Sequence, residues 1–259
     1  MSYGLQISAS GVFGALYRQD VLANNLANMD TVGFKPDVPS ARPRQAVRQE
    51  DGLMSLPSNS MLERLGGGIL LHPNRLNMGQ GGLRSTGRDL DVALQGEGFF
   101  AVKDTADPSA DAVLLTRDGR LARNGKGQIV MATTGMPLLD AQNRPIEIAE
   151  RGKVLIDGDG TVRQNGVPVG RLAIVDVPER DTLQRRGGSL FKPSPDQLKR
   201  KTAGEGQVNQ AQVEESGVDE VKALMSVTSA ARDVDANVAL IQQHDRLLER
   251  AIQSLGRSA

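Results

Sequence analysis

The sequence predicts the α+β class: long N- and C-terminal helices that pair as a coiled coil, with a central antiparallel β-domain between them. Apolar residues recur at heptad-like spacing at both ends, short apolar stretches alternate with turn residues in the middle, and polar segments rich in Pro, Gly or basic residues separate the two patterns. We divide the chain into an N-terminal assembly helix (1–32), an extended linker (33–83), the β-domain (84–183), a polar linker (184–216) and a C-terminal assembly helix (217–259).

The N-terminal helix is predicted from small or apolar residues separated alternately by four and three positions. Gln19 completes the spacing, and the helix is expected to end near Asp30, before Gly33 and Pro36. This spacing is typical of a coiled-coil seam. The seam consists of Leu5, Ala9, Val12, Leu16, Ala23 and Leu26.

The C-terminal helix carries the same alternation over a longer stretch, with Asp245 as its one polar break. Neither Pro nor Gly occurs between Val218 and Leu255, so the helix is expected to be roughly 57 Å long at 1.5 Å per residue. A helix of that length normally packs against another long helix. The seam consists of Leu224, Val227, Ala231, Val234, Val238, Ile241, Leu248, Ile252 and Leu255.

The middle of the chain is predicted to form short strands joined by turns that contain Gly, Asn and Asp. This pattern is typical of an antiparallel sandwich or a barrel-like domain. The predicted strands are residues 90–94, 98–102, 113–116, 128–131, 153–156, 161–164 and 171–177. In the first linker, a helical turn is predicted at residues 60–65.

Composition argues against several classes of partner and chemistry. Lys plus Arg and Asp plus Glu both number 31, and aromatic residues make up 3%, so neither a basic field nor stacking platforms favour nucleic acid. The absence of Cys excludes disulfides and thiolate chemistry. Apolar stretches are too short for membrane insertion, and the first 20 residues lack the pattern of a cleaved signal peptide.

We predict no catalytic, cofactor or metal site. Asp157-Gly158-Asp159-Gly160 has Gly too early for an EF-hand and is better interpreted as a hairpin turn. His72 and His244 lie in different segments and share no carboxylate pattern. The sequence leaves open whether the two terminal helices are folded in the monomer. They either become ordered only on polymerisation, which we favour, or form a closed two-helix stalk that is stable alone.

A family resemblance begins at Ala23-Asn24-Asn25-Leu26-Ala27-Asn28, followed by Thr31, Gly33, Phe34 and Lys35. Consecutive Asn residues are poor helix formers, so their amides are better explained by hydrogen bonds to other segments. The motif resembles the N-terminal signature of flagellar axial proteins, which are the rod, hook and hook-associated subunits.

Further segments resemble the same family over nearly the whole chain. They are residues 89–100, 116–119, 124–130, 169–172, 188–191, 206–208 and 213–216. Two segments depart from it: Ser216-Gly217-Val218 replaces the usual Ser-Asn-Val, and Arg232-Asp233-Val234-Asp235 replaces an Arg-Ala-Tyr-Glu run. With 259 residues and one β-domain, the chain is most similar to rod proteins, and the proximal-rod type is favoured over the distal-rod type.

The resemblance implies a structural subunit, not an enzyme, that is exported unfolded through the flagellar type III apparatus and polymerises into the torque-transmitting shaft of the periplasmic basal body. Implied partners are other rod subunits, the export apparatus and the surrounding ring proteins. Two alternatives remain, a cell-wall enzyme on a helical stalk and a binding module that holds one partner. The expected assembly interface is Leu5, Val12, Leu16, Asn24, Asn25, Leu26, Asn28, Leu224, Val227, Val234, Val238, Ile241, Leu248, Ile252 and Leu255.

Overall fold

The computed structural model describes residues 3–45, 66–105, 113–187 and 189–256, with the isolated positions 49, 52 and 55. The elements in chain order are α1 (Tyr3–Ala27), β1 (Asp37–Pro43), β2 (Ile69–Leu76), β3 (Leu83–Ser85), β4 (Val92–Gln95), β5 (Phe99–Lys103), β6 (Val113–Thr116), β7 (Leu121–Arg123), β8 (Ile129–Met131), β9 (Val154–Ile156), β10 (Thr161–Gln164), β11 (Val167–Arg171), β12 (Ile174–Asp176), β13 (Gln184–Arg185), β14 (Leu190–Lys192), α2 (Pro195–Lys199), β15 (Thr202–Ala203), β16 (Gln207–Gln210), β17 (Gln212–Glu214) and α3 (Glu220–Gly256).

The chain is α+β and forms two compact units. The helical unit comprises residues 1–26, 37–75 and 220–259, and the β-rich unit comprises residues 27–36 and 76–219. The helical turn expected at residues 60–65 lies outside the described residues.

In the helical unit, α1 and α3 pack together with opposite chain directions. A Cβ built on Gly11 would lie 2.9 Å from Asn237 Oδ1, and further along α1 an Arg18 nitrogen lies 3.5 Å from an Asp233 carboxylate oxygen. Because later positions in α1 meet earlier positions in α3, the helices are antiparallel. Gly11 has no side chain and therefore permits the close approach.

The strands β1 and β2 form a two-stranded ribbon in the same unit. Tyr17 donates a hydrogen bond from its hydroxyl to Asn74 Oδ1 at 2.9 Å, which ties α1 to β2. At the start of β2, Gly68 has φ +98° and leaves no room for a Cβ beside Ser10, so only glycine fits there without strain. The ribbon thereby lies along one side of α1.

In the β-rich unit, a six-stranded sheet in the order β13-β14-β6-β5-β12-β15 separates two apolar cores. Along β5, Phe100 and Val102 belong to one core, and Phe99 and Ala101 belong to the other. Successive side chains of a strand point to opposite faces, so the first four residues of this central strand are all apolar rather than alternating.

The remaining strands of this unit also pair antiparallel. A three-stranded sheet has the order β11-β10-β9, and two-stranded pairs join β16 to β4, β17 to β3 and β7 to β8. The turn at Asp157-Gly158-Asp159-Gly160 connects β9 to β10, and Gly160 N donates to Asp157 O at 2.9 Å. That segment is therefore the hairpin turn that the sequence predicts.

The structure differs from the predicted organisation in several segments. Residues 33–83, predicted as an extended linker, contain β1 and β2, which pair with each other. Residues 171–177, predicted as one strand, contain the end of β11 and the separate strand β12. Residues 184–216, predicted as a polar linker, contain β13 to β17, of which β16 and β17 pair with β4 and β3. Pairing between such distant segments leaves no local periodicity in the sequence, so a polar composition conceals these strands.

Candidate functional site

The α3 face that is at least partly buried is a stripe of small and medium side chains. The stripe consists of Ala223, Ser226, Val227, Ala230, Ala231, Val234, Asn237 and Ile241. All of them except Ser226 and Ala231 repeat at spacings of four and three positions, as in a coiled-coil seam. Ala230 is fully buried at its centre, and Gly11 and Ala15 lie on the facing side of α1. Small residues on both helices let the backbones approach closely.

Within the predicted assembly interface, the seam positions of α3 fall into two groups. Val227, Val234 and Ile241 are in the partly buried stripe. Leu224, Val238, Leu248 and Ile252 are exposed by 58, 37, 36 and 70%. The side chain of Leu255 lies outside the described part of the structure. The coiled-coil arrangement of α1 with α3 therefore remains a prediction, although the two helices do pack together.

After Ile241, the C-terminal part of α3 continues the apolar stripe with side chains that are exposed wherever the structure describes them. The helix α3 has 37 residues and α1 has 25. Leu248 and Ile252 follow Ile241 at spacings of seven and four positions, and so continue the same face. We name the segment 242–256 of α3 the overhang. Within it, Leu247 and Ile252 are exposed by 54 and 70%, a large apolar area for a protein in water.

The helix α1 also presents an apolar face to solvent. Leu5, Phe13 and Leu16 are exposed by 41, 69 and 39%, while Val12 and Leu26 are half-buried. Residues 3–17 contain no charged side chain. An uncharged, solvent-exposed apolar helix face is typical of a surface that other chains cover.

The Asn residues of the N-terminal motif lie at the end of α1, and the structure explains one of them in detail. Asn25 is buried, and its Nδ2 donates to Asp37 O at 2.7 Å. In return, Asp37 N donates to Asn25 Oδ1 at 2.9 Å. The amide thus satisfies both backbone groups of the first residue of β1, as a neighbouring strand would. Asn24 is exposed and Asn28 is half-buried.

In the β-rich unit, a buried ion cluster fixes the segment that follows α1. Lys35 Nζ lies 2.5 Å from Glu214 Oε1, and Arg117 Nη1 lies 3.1 Å from Glu214 Oε2. These three residues are at most 5% exposed. Gly81 N also donates to Glu214 Oε1 at 3.0 Å, and Lys35 donates to Gly79 O at 2.9 Å. The carboxylate therefore joins residues that are remote in the sequence.

Burial lowers the pKa of Lys35 and of Arg117, because a charged group loses hydration inside the protein; the nearby carboxylate of Glu214 opposes both shifts. Arg185 extends the cluster: its guanidinium lies 4.3 Å from the centroid of the Phe34 ring and donates to Lys35 O. Lys35 belongs to the motif that follows α1 and Glu214 to a second matching segment, but no pattern in the sequence indicates that they pair.

The described residues contain no group of three or more His, Asp or Glu side chains positioned to hold a metal ion. His72 lies on β2 and His244 on α3. Among the helices that the structure describes, none combines the length and the apolar character that a membrane span requires.

Comparison with known proteins finds similarity to flagellar proteins in several parts of the chain. Residues 5–35 match the family described as "Flagella basal body rod protein", and residues 93–164 match the "Flagellar hook protein FlgE/F/G D1 domain". A "Flagellar basal-body rod protein FlgF" from Mesorhizobium japonicum is 28% identical, with 99% of each chain covered. The protein of that name from Escherichia coli is 29% identical, with full coverage of both chains. The chain is thus similar to flagellar basal-body rod proteins over almost its whole length.

A second kind of relative matches over a similar length. A "Flagellar basal-body rod protein FlgG" from Buchnera aphidicola is 28% identical over 96% of this chain and 98% of its own. The rod-family match at residues 5–35 spans α1 and Lys35, and the match at 93–164 spans β4 to β10. The first match includes the exposed face of α1, Asn25 and Lys35, and the second includes Arg117, whereas Glu214 lies outside both.

Proposed function

We propose that this chain is a structural subunit of the bacterial flagellar rod, which polymerises through its terminal helices into the torque-transmitting shaft. The observation that carries the proposal is the exposed apolar surface of α1 and α3, which includes Leu5, Leu16, Leu224, Leu248 and Ile252. Burying each large apolar side chain contributes roughly 1.5–3 kcal/mol, so covering this surface with neighbouring subunits favours assembly strongly.

The rest of the expected interface fits the same proposal. Val12, Asn24, Leu26, Asn28 and Val238 lie on α1 and α3 or directly after α1, close in sequence to the exposed residues. Val227, Val234 and Ile241 hold α3 in register within the subunit, and Asn25 fixes the start of β1. The helices pair in a coiled-coil-like manner in the assembled shaft, where further helices cover their outer faces.

The proposed partners are other rod subunits, of this chain and of related chains, together with the flagellar type III export apparatus and the surrounding ring proteins. The proposed place is the periplasmic part of the basal body. A proximal position is favoured because the first relatives named above carry the FlgF name. A distal position is the second candidate, since a FlgG relative matches over nearly the same length. We propose no catalytic role for the chain.

The test is the double substitution Leu248→Gln and Ile252→Gln in the overhang, introduced as the single copy of the gene. Both positions are exposed, and Gln is a good helix former, so the helicity of the purified chain should not change. We expect the variant to be secreted while swimming is lost, and electron microscopy should show basal bodies whose shaft is missing from its base.

Gln253→Ala is the matched control, because Gln253 is an exposed polar residue of the same overhang and should leave swimming normal. Normal swimming of the double variant would refute assembly through the overhang. A shaft that lacks its outer part alone would refute the proximal position and support the distal one.

A further inference from the structure

The helical unit contains a groove lined mainly by small and apolar residues. It lies between α1, the β1–β2 ribbon and α3, and its volume is about 340 Å³. Gly11, Gly14, Ala15 and Tyr17 line it from α1, Ile69 and Leu71 from β2, and Ala236 and Asn237 from α3. At one end, Arg18 and Asp233 pair at 3.5 Å, so the charges beside the groove neutralise each other. The groove is therefore suited to an uncharged apolar group.

An exposed aromatic ring lies on the opposite side of the same helix. Successive residues of an α-helix are about 100° apart, so Phe13 lies roughly 130° around α1 from the middle of the α1 residues that line the groove. Phe13 is 69% exposed, whereas Phe34, Phe99, Phe100 and Phe191 are at most 1% exposed. Phe13 is thus the one phenylalanine ring, among the five in the chain, that the folded protein offers to another molecule.

We propose that Phe13 of one copy inserts into the groove of a second copy of this chain. The inference rests on the proposed function and deepens it by assigning one contact between subunits. Residues 3–17 carry no charge, which matches the neutral groove. A volume of about 340 Å³ admits an aromatic ring together with a neighbouring aliphatic side chain such as Leu16.

The placement of ring and groove on opposite faces determines the kind of assembly. A ring cannot reach the groove of its own chain, because the helix itself lies between them. Each copy instead inserts its ring into the next copy and receives a ring from the previous one. Such a head-to-tail contact does not pair two copies symmetrically, and it generates an open, repeating assembly unless its rotation closes a ring.

The absence of Cys from the chain permits a direct test. The double variant Phe13→Cys and Ala236→Cys replaces the single gene copy, and isolated basal bodies are treated with a short bis-maleimide crosslinker. We expect a ladder of dimers, trimers and larger species. Either single-cysteine variant should give no ladder, and the control pair Phe13→Cys with Gln253→Cys, whose second position lies outside the groove, should give none.

Several results would overturn the inference. These are incorporation into basal bodies without a ladder, an equal ladder in the Gln253 control, closed dimers alone, and a crosslink within one chain. Incorporation without a ladder would contradict the Phe13 contact but leave the proposed rod function intact, so failure of the contact can be distinguished from failure of the function. If swimming cells contain basal bodies without this chain, the rod function fails, and the inference fails with it.

A second variant covers the case in which the cysteine chains do not assemble. Ala236 is exposed, so Ala236→Trp can fill the groove without entering the packed stripe of α3. The purified variant should keep the helicity and melting temperature of the wild type but compete at least tenfold less well for incorporation when both are co-expressed. Equal incorporation would contradict a role for the groove.

Discussion

Glu214 shows how one residue can hold together segments that lie far apart in the sequence. It is fully buried and 179 positions from Lys35, and its carboxylate also binds Arg117 and the amide of Gly81. Removing one partner of a buried ion pair leaves a charge without hydration or compensation. The stability of the β-rich unit should therefore depend strongly on this carboxylate.

We expect Glu214→Gln to lower the free energy of unfolding of the β-rich unit by about 3–5 kcal/mol, because Lys35 and Arg117 would both lose their anion. Hydrogen exchange at the amides of β5 and β6 in the full-length chain measures this change. Glu215→Gln is the matched control: Glu215 pairs with Arg84 at 3.1 Å, but both side chains are at least half exposed. A surface pair contributes about 0–1 kcal/mol, and an equal effect of both variants would contradict the assigned role of Glu214.

At the level of single residues, the sequence identified the participants of this cluster without their contacts. Lys35 belongs to the signature after α1, and Glu214 to a matching segment before α3. Local spacing carries information about neighbours within an element. It carries none about a pair separated by 179 positions, so the ion cluster required the structure.

Among the elements, α3 shows what a heptad pattern predicts well and what it misses. Val227, Ala231, Val234 and Ile241 are at seam positions in the sequence and lie in the partly buried stripe. At the intervening positions the structure buries Ala230 and half-buries Asn237, while Val238 is exposed. The close approach at Gly11 accounts for the difference, because a small or adaptable side chain fits there better than a bulky seam residue.

The same approach makes Gly11 a sensitive position in α1. A Cβ at Gly11 would lie 2.9 Å from the end of the Asn237 side chain, which can adjust to a methyl group but not to a larger one. We expect Gly11→Leu to separate the helices and to lower the melting temperature of the helical circular dichroism signal by several degrees. Overpacking typically costs about 1–3 kcal/mol.

Gly14→Ala is the control for that experiment, since its Cβ would be in ordinary contact with Ile69 at 3.4 Å. Ala is the better helix former by about 1 kcal/mol, so this variant should melt at the same or a higher temperature. A melting temperature of Gly11→Leu equal to that of the wild type would show that the helices do not approach closely at this position.

For the molecule as a whole, the division of the chain into two units predicts that the β-rich unit can fold without α1. All three residues of the ion cluster lie within residues 27–36 and 76–219, and so do both apolar cores. Removing residues 1–30 leaves this set complete, whereas α3 loses the helix against which it packs. Isolated helices gain much of their stability from such packing.

We therefore expect the chain without residues 1–30 to keep its sheet signal in circular dichroism and the exchange protection of β5 and β6. Its helical signal should fall by more than the 25 residues of α1 account for, and swimming should be abolished. Loss of the sheet signal would show that the β-rich unit needs α1. Normal swimming would refute assembly through the N-terminal helix.

The larger part of the β-rich unit, residues 76–219, begins and ends in segments that are held side by side. Glu215 N donates to Gly82 O at 2.7 Å, and β3 pairs with β17. A unit whose entry and exit are adjacent behaves as a cassette: it can be enlarged, reduced or exchanged without displacing the points at which it joins its host. Evolution, and protein engineering with it, is thus free to vary the cassette while leaving the flanking helices unchanged.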